Sequence, residues 1–124
     1  MITNFEEYTE ELSDEEIWLI PILIKSFKKI DDKSKAIKAP EIIKRINEWS
    51  KSKDICINIS EPRFRKCCNF IRSNSLIPLI ATSKGYYCSY NQLEIESQIK
   101  SLEERANSII NCAEGMKKFI INKN

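Results

Sequence analysis

From Ile95 to Ile120 a small or apolar residue returns in steps of four and three without a break: Ile95, Ile99, Leu102, Ala106, Ile109, Ala113, Met116 and Ile120. Such steps keep coming back to one side of a chain only when it winds at about 3.6 residues per turn, so the repeat demands an α-helix. One long helix is expected over residues 91–121, weakened locally by Gly115. Its seam, Ile95, Ile99, Leu102, Ala106, Ile109, Ala113 and Met116, needs cover. Two covers are open: a second copy of the chain, giving a homodimer, or the chain's own remaining residues. The flanking charges Glu96, Glu103, Arg105 and Lys117, taken by themselves, fix no orientation.

With 124 residues in all, the chain has room for one domain of modest core besides that helix. A content of 42% apolar and 31% charged residues is that of a globular protein. The absence of histidine removes Ser-His-Asp triads, Cys-His pairs and HExxH zinc sites. The only glycines, Gly85 and Gly115, cannot write a glycine-rich phosphate loop. Cys56, Cys67, Cys68, Cys88 and Cys112 contain no CxxC pair and are expected as reduced thiols of a cytoplasmic protein. No signal peptide or membrane span is expected, because the longest apolar run is only Ile17 to Ile24. Asp31, Asp32 and Asp54 sit beside expected loops without a partner base. The expectation is therefore a protein that is not an enzyme and uses no metal or cofactor.

Charge is unevenly placed. Residues 1–16 carry seven acids and no base, whereas residues 17–90 carry fifteen bases against six acids. Three regions follow: an acidic lead-in at 1–12, a basic domain at 13–90 and the helix at 91–124. The lead-in reads as a solubilising tail, with its last charges favourable to a helix N-terminus. The basic body suits an anionic partner such as nucleic acid.

Within residues 13–90 the elements follow from caps and breakers. Ser13-Asp14-Glu15-Glu16 is a capping box that starts a helix over roughly 14–30, with Ile17, Ile20, Ile24 and Phe27 inward and Trp18, Leu23 and Ile30 widening that face. Pro21 implies a kink or restart. Ala36-Ile37-Lys38 is a very short strand candidate. Pro40 opens a second helix over roughly 40–50 with Ile42, Ile43, Ile46 and Trp49 inward. Ile55, Ile57 and Ile59 alternate as in an extended connector. Ser60 caps a third helix over roughly 61–74, buried through Phe64, Cys67, Cys68 and Ile71. Two β-prone runs, Leu76–Thr82 and Tyr86–Tyr90, flank Ser83-Lys84-Gly85 as a hairpin. The fold class is mainly α with a small β-hairpin and a long C-terminal helix.

This order, with the stretch ISEPRFRKCCNFIRSNSLIPLIATSKGYY, resembles the winged helix-turn-helix domains of small bacterial and phage proteins. There a capped, Arg- and Lys-rich helix runs into an SKGYY hairpin. The likeness covers roughly residues 14–90. It implies binding of double-stranded DNA, with the third helix in the major groove and the hairpin as a wing on the backbone. It also implies a role in transcription regulation or as a phage DNA-replication accessory protein.

A helical wheel assigns parts within that reading. Lys66, Asn69 and Ser73 point away from the inner stripe, Arg65 and Arg72 share one shoulder, and Arg63 lies on the other. Arg63, Lys66 and Asn69 are the candidates for base edges, and Arg65 and Arg72 for phosphates. Ser73 completes the outer face. On the hairpin Thr82, Ser83 and Lys84 are candidates for backbone or minor-groove contact, and of Tyr86 and Tyr87 one is expected inside. The same pattern also fits a solvated helix face. A protein-protein interaction or assembly module of this fold, with a protein partner in place of DNA, is the alternative.

Overall fold

The protein, as a computed structural model, is described over residues 11–55 and 57–121. The lead-in expected at 1–12 falls outside these residues except for Glu11 and Leu12, and Cys56 falls outside them too. The chain divides after Tyr90 into two compact units. The architecture is mainly helical with one small antiparallel hairpin.

Helix α1 spans Asp14–Lys29. Its capping box is formed: the Glu16 amide donates to Ser13 Oγ at 3.2 Å, and the Ser13 amide donates to Glu16 Oε1 at 2.8 Å. Pro21 lies inside α1, which runs through it without a restart. The proline is on the exposed side, where water can serve the carbonyl its missing N–H leaves. The inner face also differs from the expected one. Glu16, Leu19, Ile20, Leu23 and Phe27 are buried, whereas Ile17 and Trp18 are exposed and Ile24 half-buried. The face is turned because a carboxylate lies on it, and a count of apolar residues places every glutamate outside.

A short 3-10 turn at Lys33–Lys35, capped by Asp32, leads to Ile37. Ile37 forms an isolated antiparallel bridge with Tyr86: its amide donates to the Tyr86 carbonyl at 3.2 Å, and the Tyr86 amide returns a bond of 2.8 Å. Helix α2, Ala39–Ser52, has Pro40 in its first turn and buries Ile42, Ile46 and Ser50. Trp49 remains exposed and stacks on Trp18 with ring centroids 6.3 Å apart. In the connector, Asn47 clamps Ile59 from both sides, its Oδ1 accepting at 2.8 Å and its Nδ2 donating at 3.2 Å.

Helix α3, Glu61–Ser73, is capped by Ser60 and buries Phe64, Cys67, Cys68 and Ile71. It ends in a Schellman motif, with the Leu76 amide on the Ile71 carbonyl at 3.0 Å and Ser75 at φ 55°. Strands β1, Leu79–Thr82, and β2, Gly85–Cys88, pair with Thr82 opposite Gly85, leaving Ser83 and Lys84 as the tip. Gly85 sits at φ 126°, and a Cβ there would lie 2.4 Å from the Ile37 carbonyl carbon. The bridge strand thus passes where only glycine fits. One ring from each of α1, α3 and β2 meets in the core: Phe64 to Tyr86 is 5.3 Å edge-on, and Phe27 lies 6.1 Å from both. Neither Tyr86 nor Tyr87 is exposed.

The second unit, residues 91–124, contains α4, Gln92–Ile121, of 30 residues. Residues 99–120 are all exposed, including Ile99, Leu102, Ile109, Met116 and Ile120 of the heptad seam. Among the described residues no helix is long and apolar enough to cross a membrane.

Candidate nucleic-acid interface

Helix α3 and the β1–β2 tip hold every residue singled out from the sequence for DNA contact. Burying Phe64, Cys67, Cys68 and Ile71 fixes which sides of α3 are left. Those sides do not all face water.

Lys66 is the main correction. The wheel sends it directly outward, but its side chain is only 11% exposed and its Nζ lies 2.9 Å from Glu16 Oε1. Arg63 bends the same way, its Nε donating to Glu16 Oε2 at 3.1 Å and its Nη2 reaching Glu15 at 3.0 Å. The cause is the buried Glu16 carboxylate. A charge taken out of water needs partners, and two long cationic stems of α3 supply them. Burial pushes the Glu16 carboxyl upward, but the Ser13 amide, Lys66 and Arg63 outweigh it and lower it to about 2. Glu16 is therefore charged at neutral pH, and both base-edge candidates are engaged in ion pairs, Lys66 nearly buried and Arg63 half-buried.

Arg72 is likewise structural. Its Nε donates to the Leu79 carbonyl at 3.1 Å, tying the end of α3 to the start of the hairpin. Arg65 pairs with Glu61 one turn earlier at 2.9 Å, on a side chain 28% exposed. An i,i+4 pair of this kind is worth about 0.5 kcal/mol and exchanges readily for a stronger anion. Asn69 is half-buried, and Ser73, Thr82, Ser83 and Lys84 are exposed. Lys84 lines one groove with Asp32, Lys33, Ser34 and Ala36, so the hairpin tip and the 3-10 turn are neighbours. Lys35 in that turn is held by Asp31 at 2.9 Å.

The structure thus leaves Ser73 exposed at the end of α3 and Ser83 and Lys84 exposed at the tip, with Arg65 and Asn69 half-buried on α3. Arg63 and Lys66 are held by Glu15 and Glu16, and Arg72 by the Leu79 carbonyl. The neighbourhood of Lys33 and Lys84 was missed because contacts distant in sequence, the Ile37–Tyr86 bridge and the Cys88 amide on the Ile30 carbonyl, bring the two segments together. The two thiols of α3 are poor nucleophiles: burial raises Cys67 to about 11 and Cys68 to about 12. Among the described residues no cluster of metal-ligating side chains occurs. Comparison with protein-family profiles, curated proteins and solved structures returns no match.

Proposed function

We propose that the chain binds double-stranded DNA as a winged helix-turn-helix protein, in transcription regulation or as an accessory to phage DNA replication. In this reading α2 and α3 are the helix-turn-helix, α3 enters the major groove and β1–β2 is the wing. One observation carries it: a three-helix body whose bridge strand at Ile37 joins the hairpin, with Lys84 exposed at the tip. The described residues of this unit add fifteen bases against ten acids, a modest positive field.

The contact set is narrower than the wheel implies. Asn69 is the candidate for an adenine edge. Arg65 exchanges Glu61 for a phosphate, and Ser73, Ser83 and Lys84 contact backbone. Arg63 and Lys66 act as positioning residues that hold α3 against α1 through Glu16. A labelled random duplex tests this by fluorescence anisotropy. Arg65→Ala/Lys84→Ala is expected to weaken binding about tenfold at low salt with the fold intact. Binding that ignores both substitutions overturns the assignment.

A second reading, a protein-interaction module, is favoured by the exposed Trp18–Trp49 stack, which lies outside the α3 face. An absence of DNA binding at low salt selects it.

A further inference from the structure

Helix α4 presents a heptad seam that no described residue of its own unit covers. Ile99 is 48% exposed, Ile109 63% and Met116 66%. With Ile99, Ala106, Ala113 and Ile120 at a, and Ile95, Leu102, Ile109 and Met116 at d, the seam holds two alanines among larger residues. A partner must fill the space beside those alanines, and the sequence of the seam states which partner does so.

We propose that α4 pairs with α4 of a second copy in antiparallel orientation, in the register that sets Ile99 against the partner's Met116. The same register sets Ala106 against the partner's Ile109, Ala113 against the partner's Leu102 and Ile120 against the partner's Ile95. The twofold axis repeats each pair, giving eight layers. Each alanine meets a larger residue, so no layer is doubly small. The overlap uses nearly all of Gln92–Ile121.

The flanking charges then become informative. In this register Glu96 faces the partner's Lys117, twice by symmetry, and Arg105 faces the partner's Cys112. Today Lys117 is held by Glu114 in an exposed pair of 3.0 Å, and Glu96 accepts from Gln92 at 3.1 Å. Both are weak and open at little cost. Sliding one heptad in one direction sets Glu103 on the partner's Glu103 and Arg105 on the partner's Arg105. Sliding in the other sets Glu103 on the partner's Lys117, but either slide leaves six layers in place of eight. A parallel, in-register pair sets Glu96 against the partner's Asn91 and Lys117 against the partner's Cys112, with no charge match. The number of filled layers, together with the Glu96–Lys117 match, therefore selects one arrangement of two identical helices. Pairing does not depend on the DNA reading.

Sedimentation equilibrium on the full chain tests it. The wild type is expected to dimerise, Glu96→Lys to weaken the dimer about fivefold or more, and Glu96→Lys/Lys117→Glu to restore it to within about twofold. Circular dichroism checks that the helix persists in each variant. A chain that stays monomeric at about 100 µM overturns the proposal. So does a dimer in which the second substitution fails to rescue the first. A second readout addresses register: the two Cys112 residues are staggered along the axis by about 10 Å here. Mild oxidation should give no Cys112-linked dimer, whereas rapid cross-linking would support the slid register and overturn this one.

Discussion

Lys66 Nζ and Glu16 Oε1 stand 2.9 Å apart across the junction of α3 with the first turn of α1, both side chains largely removed from water. This contact decides how α3 sits and removes a cation from the surface where the wheel puts one. Its energetic weight lies in what its loss leaves behind. Lys66→Met leaves the buried carboxylate with Arg63 and the Ser13 amide and should cost about 2–4 kcal/mol in urea unfolding. Glu16→Leu together with Lys66→Met should recover most of that loss. Equal destabilisation in the single and double variants would contradict the pairing.

Acid should act through the same carboxyl. The Glu16 carboxyl is lowered from an ordinary 4.5 to about 2 on folding, so the unfolded chain takes up the proton first. Its contribution, on the order of 3 kcal/mol, is fully present above about pH 5 and fades as pH falls toward 2. Asp31, lowered by Lys35, and Asp32, lowered by Ser34, act in the same direction and cancel when wild type is compared with Glu16→Gln. The stability gap between the two proteins should narrow between pH 5 and pH 2. A constant gap would mean that Glu16 is not the titrating group.

The backbone sets opposite expectations at three small positions. Gly85→Ala forces a Cβ to 2.4 Å from Ile37 at φ 126° and should cost about 3 kcal/mol or more. Ser75→Gly relieves a positive φ at the end of α3 and should add about 1 kcal/mol. Gly115→Ala meets open space inside α4 and should raise helicity, with a gain of about 1 kcal/mol for that unit. Thermal melts followed by circular dichroism read all three, and a stable Gly85→Ala would remove the close-approach argument.

Thiol chemistry should separate the cysteines by burial. Of the four described, Cys112 is exposed, and Cys67, Cys68 and Cys88 are buried. Burial raises all three of those thiols. A disulfide reagent at pH 8 should modify Cys112 in the native chain, and the buried three only on unfolding. Fast loss of Cys67 or Cys68 would show that α3 is not packed as described.

Much of the fold was legible because its signals are local. Ser13 and Ser60 cap helices, Pro40 stands in a first turn, and Ser83-Lys84-Gly85 turns the hairpin. Even the brief pairing of Ile37 was readable as a short strand. The inner face of α1 was not, because Glu16 is buried by partners 47 and 50 residues away, and no local pattern encodes them. The same distance hid the fate of Arg63 and Lys66. A wheel gives a Cβ direction, but a long cationic stem follows the nearest buried charge. Arg72 was misread for a related reason, since its acceptor is the Leu79 carbonyl beyond the end of its own helix.

The salt dependence of duplex binding tests the central claim most directly. Affinity of the wild type for a random duplex should fall linearly on a log–log plot against salt, because each neutralised phosphate releases counterions. Lys84→Ala should reduce the magnitude of that slope by about one. An affinity indifferent to salt, or a slope that Lys84→Ala leaves unchanged, would contradict a winged helix-turn-helix gripping DNA through its hairpin.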